Sequence, residues 1–496
     1  MGASMTNAVM KIERFEVGKF IIDIAVSFAP EKEVPSPRIG IVFNCSRGNR
    51  RLPMKVQFKD GKIFAEGKYD SSLIFYGFTP REIEVSFIFS DATDNGKEYQ
   101  TGLKVNGIKK HPLHRFFILT PLERIKALAG VMLNIVALPC RMLPVHKNRI
   151  SFFSNRTDAP TGNMKAVYNT LKDIENADIH LVCKKGGPKG ELKVLLKFLY
   201  LYMTSKVVFV DDYYHLISYV KKKDKTKLIQ LWHGCGAFKT FGFSRFHKSS
   251  VLEIYSANHR QYDYAIVSSP DICDFYAEAY GISSEKALAL GSPRCDILSN
   301  EEYRNKKREE FFSEFPALKG KKLLLFAPTF RGKGNGDCYY PYEKFNADKV
   351  LETLGDEWGL VIKLHPYLNK KIKYSDKNKS RIADCANWDI NDVLFSVDFL
   401  VTDYSRVIFE ASLLEIPMAF LAFDLDEYIE KRDFYYDFRS FVPGPIVETD
   451  VQAAELAKSG NTDIETIKEF AKKSFGNTAG NACKNVKELT EKLLEE

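Results

Sequence analysis

The spacing of apolar and polar positions changes rhythm twice along the chain. From about Lys11 to Gly107, short apolar runs (FIIDIAVSF, IGIVF, KVQF, SLIFYGF, IEVSFIFS) alternate with turn clusters such as APEKEVPSP, SRGNR, KDGK and DATDNGK. Strand-length runs without helical periodicity predict a small β-sandwich or barrel, assigned to residues 1–110. An accessory or interaction module is the simpler reading of this domain, ahead of carbohydrate or nucleic-acid binding.

Residues 111–149 follow a different rule. Their apolar stretch, Ala127 to Cys140, is about 14 residues long and contains Asn134, which at about 1.5 Å per helical residue is too short to cross a bilayer. With cations on both flanks, it predicts one or two helices lying in the headgroup region of an anionic leaflet; a buried linker helix is the alternative. In PKGELKVLLKFLYLYMTSK, Leu192, Leu195, Leu196, Leu199 and Met203 keep helical spacing while Lys189, Lys193 and Lys197 take another face. Tyr200 and Tyr202 suit a lipid interface, although a helix packed on a sheet has the same pattern.

From Arg149 the order becomes strand, helix, strand. ISFFS, IHLVC, KVVFV, KLIQL, YAIVSS and ALALG form one series, and KLLLFAP, LVIKL, RIADC, FLVTD and MAFLAF a second. This alternation predicts an α/β architecture of two doubly wound Rossmann-type domains, 150–315 and 316–496, the latter ending in helices, with a cleft between them. No G-x-G-x-x-G follows a first strand and no P-loop occurs, which argues against a nicotinamide or P-loop nucleotide site.

Composition narrows the class. A hydrophobic content of 45% over 496 residues excludes a disordered chain. The formal charge is +8, and the stretch from Lys104 to Arg149, with nine basic residues against Glu123 alone, carries all of it. Such a block points to an anionic surface. Its interleaving with aliphatic rather than aromatic residues favours membrane over nucleic acid. Nine cysteines, an odd number with no C-x-x-C, suit reduced thiols in a cytoplasmic setting. The opening MGASMTNAVM lacks an apolar signal core, and Gly2 with Thr6 behind it is a poor myristoylation pattern, so this stretch reads as a tail.

Chemistry collects where the strands end. LIQLWHGCGAFKTFGFS delivers His233 and Lys239 to a loop after a buried strand, and ligands of open α/β sheets sit at such ends. Other strand ends carry Asp211 and Asp212, Arg294 in GSPRCD, Thr329 and Arg331 in APTFRG, Lys363 and His365 in VIKLHP, and Thr402, Asp403, Ser405 and Arg406 in VTDYSR. Two histidines with cations and hydroxyls suit a diphosphate-bearing ligand, held by the cations and acted on by a histidine base. The histidines and cysteines lack zinc-ligand spacing. Asp211–Asp212 or Asp424–Asp426 would suit magnesium beside a diphosphate, with hydrogen-bonded loop carboxylates the simpler reading and no prosthetic group implied. The loop Gly332–Gly336 and the run Lys221–Lys227 are candidate guides for a polyanion, the latter more simply a solvated charge run.

In order and spacing, WHGCGAFKTFGFS, GSPRCD, FAPTFRG, IKLHP and VTDYSRVIFEASLLEIPMAFLAFDLDEY resemble the CDP-glycerol glycerophosphotransferase family of teichoic acid biosynthesis, from about Arg149 to Val447. GAFKT-x-GFSR, FAPTFRG-x-G-x-G and FVPG are most similar to its poly(ribitol phosphate) polymerase branch. The resemblance implies a GT-B fold and a peripheral enzyme at the cytoplasmic face of a Gram-positive membrane. It implies transfer of ribitol or glycerol phosphate from a CDP-polyol to the terminal hydroxyl of a lipid-linked chain, with release of CMP. By this resemblance His233 is the base, and His365 contacts or protonates the diphosphate. Arg331 and Lys363 lie near phosphates, Thr402 and Ser405 in the diphosphate loop, and Glu410 suits the ribose hydroxyls. The family's second serine after DYS is Arg406 here. A GT-B glycosyltransferase using a nucleotide sugar, or a non-catalytic wall-assembly module, is the alternative. Wall-assembly proteins or a second copy of the chain are further candidate partners.

Overall fold

The computed structural model describes residues 9–17, 21–29, 38–45, 48–59, 61–70, 82–90, 97–106, 121–187, 191–245, 259, 261–332, 337–368, 370–432 and 434–496. The SLIFYGF run, residues 107–120 of the basic segment, residues 333–336 of the glycine loop and the Gly2 motif lie outside them.

Eight strands make the N-terminal part: β1 (Val9–Val17), β2 (Ile21–Ala29), β3 (Arg38–Cys45), β4 (Gly48–Pro53), β5 (Lys55–Lys59), β6 (Lys62–Asp70), β7 (Glu82–Ser90) and β8 (Lys97–Asn106). They pair in two antiparallel sheets, β1-β2-β6-β5 and β4-β3-β7-β8. Alternate residues of β2 (Ile22, Ile24, Val26, Phe28) share one core with Ile39, Ile41 and Phe43 of β3 and Ile83, Val85, Phe87 and Phe89 of β7. This is a sandwich, each buried side chain contributing about 1.5–3 kcal/mol. β4 occupies the stretch read from sequence as the SRGNR turn. As an edge strand it needs no continuous apolar run, so its polar residues masked it.

Two helices, Pro121–Val136 and Leu138–Met142, follow, joined at buried Ala137. Asn134, which interrupts the apolar run, anchors the first of them. Its Nδ2 donates to the carbonyls of Gly130 and Tyr219, both at 2.7 Å, and its Oδ1 accepts from the Lys221 N–H at 3.0 Å. The helix Leu192–Thr204 departs from expectation. Phe198, Leu199, Leu201, Tyr202 and Met203 are buried, while Leu192 and Leu196 are exposed. Tyr202 is therefore a core residue stacked on Phe198 at 5.2 Å rather than a lipid-interface residue, because the helix packs its C-terminal half on the sheet.

The chain divides into two compact units, neither a continuous stretch: Met1–Arg294 with Lys431–Phe441 and Asn481–Glu496, and Cys295–Glu430 with Val442–Gly480. In the first, β9 (His146–Ser154), β10 (Asp178–Cys183), β11 (Ser205–Val210), β12 (Lys227–Gln230), β13 (Tyr264–Val267) and β14 (Ala287–Ala289) form a parallel sheet in the order β10-β9-β11-β12-β13-β14. Val486 and Leu493 of the helix Ala482–Glu495 complete its core against Ile150, Phe152, Val207 and Phe209. In the second, β15 (Lys322–Phe326), β16 (Trp358–Ile362), β17 (Ile382–Asp384), β18 (Phe399–Thr402), β19 (Met418–Leu421) and β20 (Ile446–Val447) pair as β17-β16-β15-β18-β19-β20. Strand order reverses beside β9 and β11 in one sheet and between β15 and β18 in the other. Backbones diverge there and open a crevice at the carboxyl ends.

Candidate active site

In the first unit, Trp232 adopts φ 55°, a left-handed conformation that costs a bulky residue about 1–3 kcal/mol. Its surroundings hold it there. The Trp232 N–H donates to Gln230 Oε1 at 2.8 Å, and Asn163 Nδ2 donates to the carbonyls of Leu231 (2.9 Å) and Trp232 (3.2 Å). Asn163 Oδ1 in turn accepts from the Arg294 N–H at 2.9 Å and the Ser292 hydroxyl at 3.3 Å. The indole stacks on Phe241 at 4.8 Å and meets the edge of Tyr280. This turn redirects the chain so that His233 leaves the strand end half-buried.

Three charged groups surround His233. Its Nδ1 is 3.6 Å from Asp212 Oδ2, to which Arg156 Nε approaches within 3.3 Å, and its carbonyl accepts from Arg294 NH1 at 3.2 Å. Behind the turn, Gln230 Nε2 donates to Tyr262 Oη (2.8 Å) and to the Asp212 carbonyl (3.2 Å), and Tyr262 Oη meets His259 Nδ1 at 3.0 Å. Full burial pushes His259 down to about 3, so this second imidazole stays neutral. Lys239 takes a different place. Its backbone bridges antiparallel to Phe434, and the Tyr435 N–H donates to the Phe238 carbonyl at 2.8 Å, so the returning segment 431–441 fixes it.

Asp211 lies next to Asp212 and is almost fully buried. Burial raises its carboxyl to about 6, with Asp212 adding to the rise while Ser154 and Arg156 oppose it. A raised carboxyl favours the protonated form in the fold, so the penalty is absent below about pH 4 and complete above about pH 6. Asp211→Asn is therefore expected to melt a few degrees above wild type at pH 8, with the difference vanishing by pH 4, as read by calorimetry across that range.

The second unit gathers a different set. Arg331 Nε and NH2 grip Asp424 at 2.7 and 2.9 Å, while NH1 donates to Asp403 Oδ2 (2.8 Å) and the Thr329 carbonyl (2.6 Å). Asp403 Oδ1 accepts from the N–H groups of Thr329 (2.7 Å) and Tyr404 (2.6 Å), and Tyr404 Oη donates to Asp424 Oδ1 at 2.8 Å. Burial works against the Arg331 charge, but Asp403 and Asp424 outweigh it and hold the guanidinium protonated beyond its ordinary range. Arg331 is thus enclosed as the clamp between the loops after β15 and β18, a different placement from a phosphate-facing cation. Both Asp424 oxygens are engaged by Arg331 and Tyr404, so the position offered to magnesium by Asp424–Asp426 is taken by a guanidinium. The Thr402 hydroxyl is likewise committed, donating to the Ala327 carbonyl at 2.7 Å.

Lys363 and His365 follow β16 on one loop. Lys363 Nζ donates to the Ala386 carbonyl at 2.8 Å, and burial pulls its ammonium below the ordinary range against the opposing pull of Cys385, Asp389 and Asp384. His365 packs on Phe330 and Tyr367, and its Nδ1 accepts from the Tyr367 N–H at 3.2 Å. In the neutral ring the proton is then on Nε2, which makes that nitrogen a donor. Ser405 Oγ accepts from the Val407 N–H at 3.3 Å; Arg406 and buried Glu410 lie at the start and within the first turn of the helix Val407–Leu413.

Residues 136–492 match the family described as CDP-Glycerol:Poly(glycerophosphate) glycerophosphotransferase, which is most of the chain. This chain belongs to that family. Among the family's relatives, it is 38% identical over 349 residues to the teichoic acid poly(ribitol-phosphate) polymerase of Bacillus spizizenii, covering 70% of this chain and 56% of that one. It is 34% identical over 424 residues to the teichoic acid ribitol-phosphate polymerase TarK of Staphylococcus aureus, covering 84% and 81%. The chain thus spans little more than half the length of the first relative. The solved wall teichoic acid polymerase TagF superposes with a TM-score of 0.59 at 20% identity, over 78% of this chain and 99% of that one. The likeness establishes a GT-B-like fold for this chain.

Three residues around His233 escaped the sequence reading: Asn163, Arg156 and Gln230. Arg156 lies in the polar stretch after β9 and Asn163 in the first turn of the helix Gly162–Leu171, where residue type alone singles out no side chain.

Proposed function

We propose that this chain is a peripheral membrane phosphotransferase that moves ribitol phosphate, or glycerol phosphate, from a CDP-polyol to the terminal hydroxyl of a lipid-linked teichoic acid chain and releases CMP. The carrying observation is the His233 turn: a strained backbone, held by buried hydrogen bonds, presents an imidazole beside a carboxylate. A hydroxyl is a poor nucleophile at neutral pH, and a positioned base accelerates its attack by about 10²- to 10⁴-fold. On the donor side, Lys363, the Nε2–H of His365, Ser405 and Arg406 supply positive charge and donors for the diphosphate as CMP departs. In this reading Arg331, Thr329, Thr402 and Asp403 shape the loops that carry those groups. Arg294 supports the His233 backbone, and the same reading assigns Lys239 to the polyanionic acceptor and Glu410 to the nucleoside. Ribitol is favoured because the named relatives above are ribitol-phosphate polymerases.

Membrane attachment has its own support. Ile125, Leu128, Val131, Met132 and Ile135 are exposed on the helix Pro121–Val136, and Leu138 and Met142 on the next one, which packs against the helix carrying exposed Leu192 and Leu196. Arg141, Lys221 and Lys223 lie beside the second of these helices; the Arg141 guanidinium donates to the Lys221 carbonyl and Lys223 Nζ to the Leu143 carbonyl. Exposed apolar area with cations beside it complements an anionic leaflet at the cytoplasmic face. Among the described residues no helix is long and apolar enough to cross a membrane.

The test is CMP release with a synthetic lipid-linked acceptor on phosphatidylglycerol vesicles. Release is expected with CDP-ribitol, falling as salt rises and screens the surface. Absence of release with both CDP-polyols, or turnover of a nucleotide sugar in their place, overturns the assignment.

A further inference from the structure

We infer that Asp212 is a positioning residue for His233: its carboxylate, steadied by Arg156, orients the imidazole and serves as counter-ion when the ring becomes positively charged. The inference rests on the proposed role of His233 as base. In that step the acceptor O–H bond breaks and its electron pair forms the new O–P bond. The P–O bond to CMP breaks with its pair going to CMP, and the proton comes to His233. An imidazolium then stands in a half-buried site, where a charge without a partner is costly.

The geometry gives Asp212 the means to meet that charge. Both carboxylate oxygens are placed by groups that differ in chemistry: Oδ1 accepts from the Tyr213 N–H at 2.7 Å, and Oδ2 faces Arg156 Nε at 3.3 Å and His233 Nδ1 at 3.6 Å. The Asp212 carbonyl accepts from Gln230, the side chain that also holds the Trp232 N–H, so the aspartate and the histidine turn are fixed by one residue. A separation of 3.6 Å exceeds a hydrogen bond and lies within ion-pair range, which suits attraction that strengthens as the ring gains its proton. Among the described residues, the other charged and titratable groups nearby include Arg294 on the His233 carbonyl, buried Asp211, and Tyr262 behind Gln230. Of these, Asp212 is the carboxylate that the structure sets against the imidazole nitrogen.

Arg156 makes the inference testable by sign. Removing the Asp212 charge lowers the affinity of the imidazole for its proton, whereas removing Arg156 raises it, because one neighbour attracts the imidazolium and the other repels it. The experiment is a pH titration of the full chain with ¹⁵N-labelled histidine, the His233 signals assigned by their disappearance in His233→Gln. Asp212→Asn is expected to shift the His233 midpoint down by about one pH unit and Arg156→Gln to shift it up. In the CMP-release assay, Asp212→Asn lowers kcat at least about tenfold with little change in donor KM, the acidic limb of the pH profile moves to lower pH, and Asp212→Glu recovers most of the loss. An unchanged His233 midpoint in Asp212→Asn, or shifts of the same sign in both variants, overturns the inference. Wild-type turnover in His233→Gln removes the base assignment instead, and the titration then decides the ion pair by itself.

Discussion

His233→Ala is expected to turn over at least about a hundredfold more slowly than wild type while binding the CDP-polyol within about twofold of its normal affinity. The reasoning is local. What holds the strained turn is Gln230, Asn163 and the packing of Trp232 on Phe241 and Tyr280; the His233 imidazole adds one ring contact, 4.2 Å from Trp232. Truncation therefore removes the proposed proton acceptor and leaves the chain path in place. The residues proposed to meet the donor, Lys363, His365, Ser405 and Arg406, belong to different strand ends, and Lys363, His365 and Ser405 make hydrogen bonds of their own. Single-turnover CMP release and calorimetric titration with CDP-ribitol read the two quantities separately. Turnover within about threefold of wild type would remove His233 from the role of base.

The second large effect is expected at Arg331, in stability. Arg331→Met leaves Asp403, 1% exposed, and Asp424, 19%, without their shared cation, and breaking a buried ion pair from one side costs roughly 3–5 kcal/mol. For a unit of this size that is a fall of about 10 °C in the melting of the second unit. Arg331→Lys is expected to recover little, since an ammonium cannot span two carboxylates with the planar, multidentate grip seen here. Arg331→Met combined with Asp424→Asn recovers part of the loss by neutralising one stranded carboxylate. A melting temperature unchanged in Arg331→Met, with weakened donor binding alone, would reassign this arginine to the ligand.

The sandwich and the two parallel sheets were legible in the sequence because their central strands are buried on both faces or alternate cleanly. VVFV of β11, LLLF of β15 and LVI of β16 need no partner to be recognised, whereas edge strand β4 carries no such run. The place of His233 was legible for a related reason: it follows a buried strand and precedes a glycine, which marks a strand end. Its supports were not. Asn163 bonds residues 68 and 131 positions away, and Arg331 reaches Asp424 across 93, separations over which no periodicity survives. The same limit applies to the helix Ala482–Glu495, whose amphipathic pattern declares an apolar face without saying which sheet that face covers. The strand-end cations were visible as charges, but the sequence could not distinguish Lys363, on a loop, from Arg331, enclosed between two aspartates.

That last helix also sets a timetable for synthesis. Val486 and Leu493 close a layer whose other members, Ile150, Phe152, Val207 and Phe209, leave the ribosome far earlier. At about 5–20 residues per second, the roughly 200 residues between Arg294 and Leu493 take about 10–40 s to emerge. For that interval the nascent first sheet has one greasy flank uncovered, while all the residues of the second unit come into reach of each other. The layer begun first can thus be completed only after the residues of the second unit have been made.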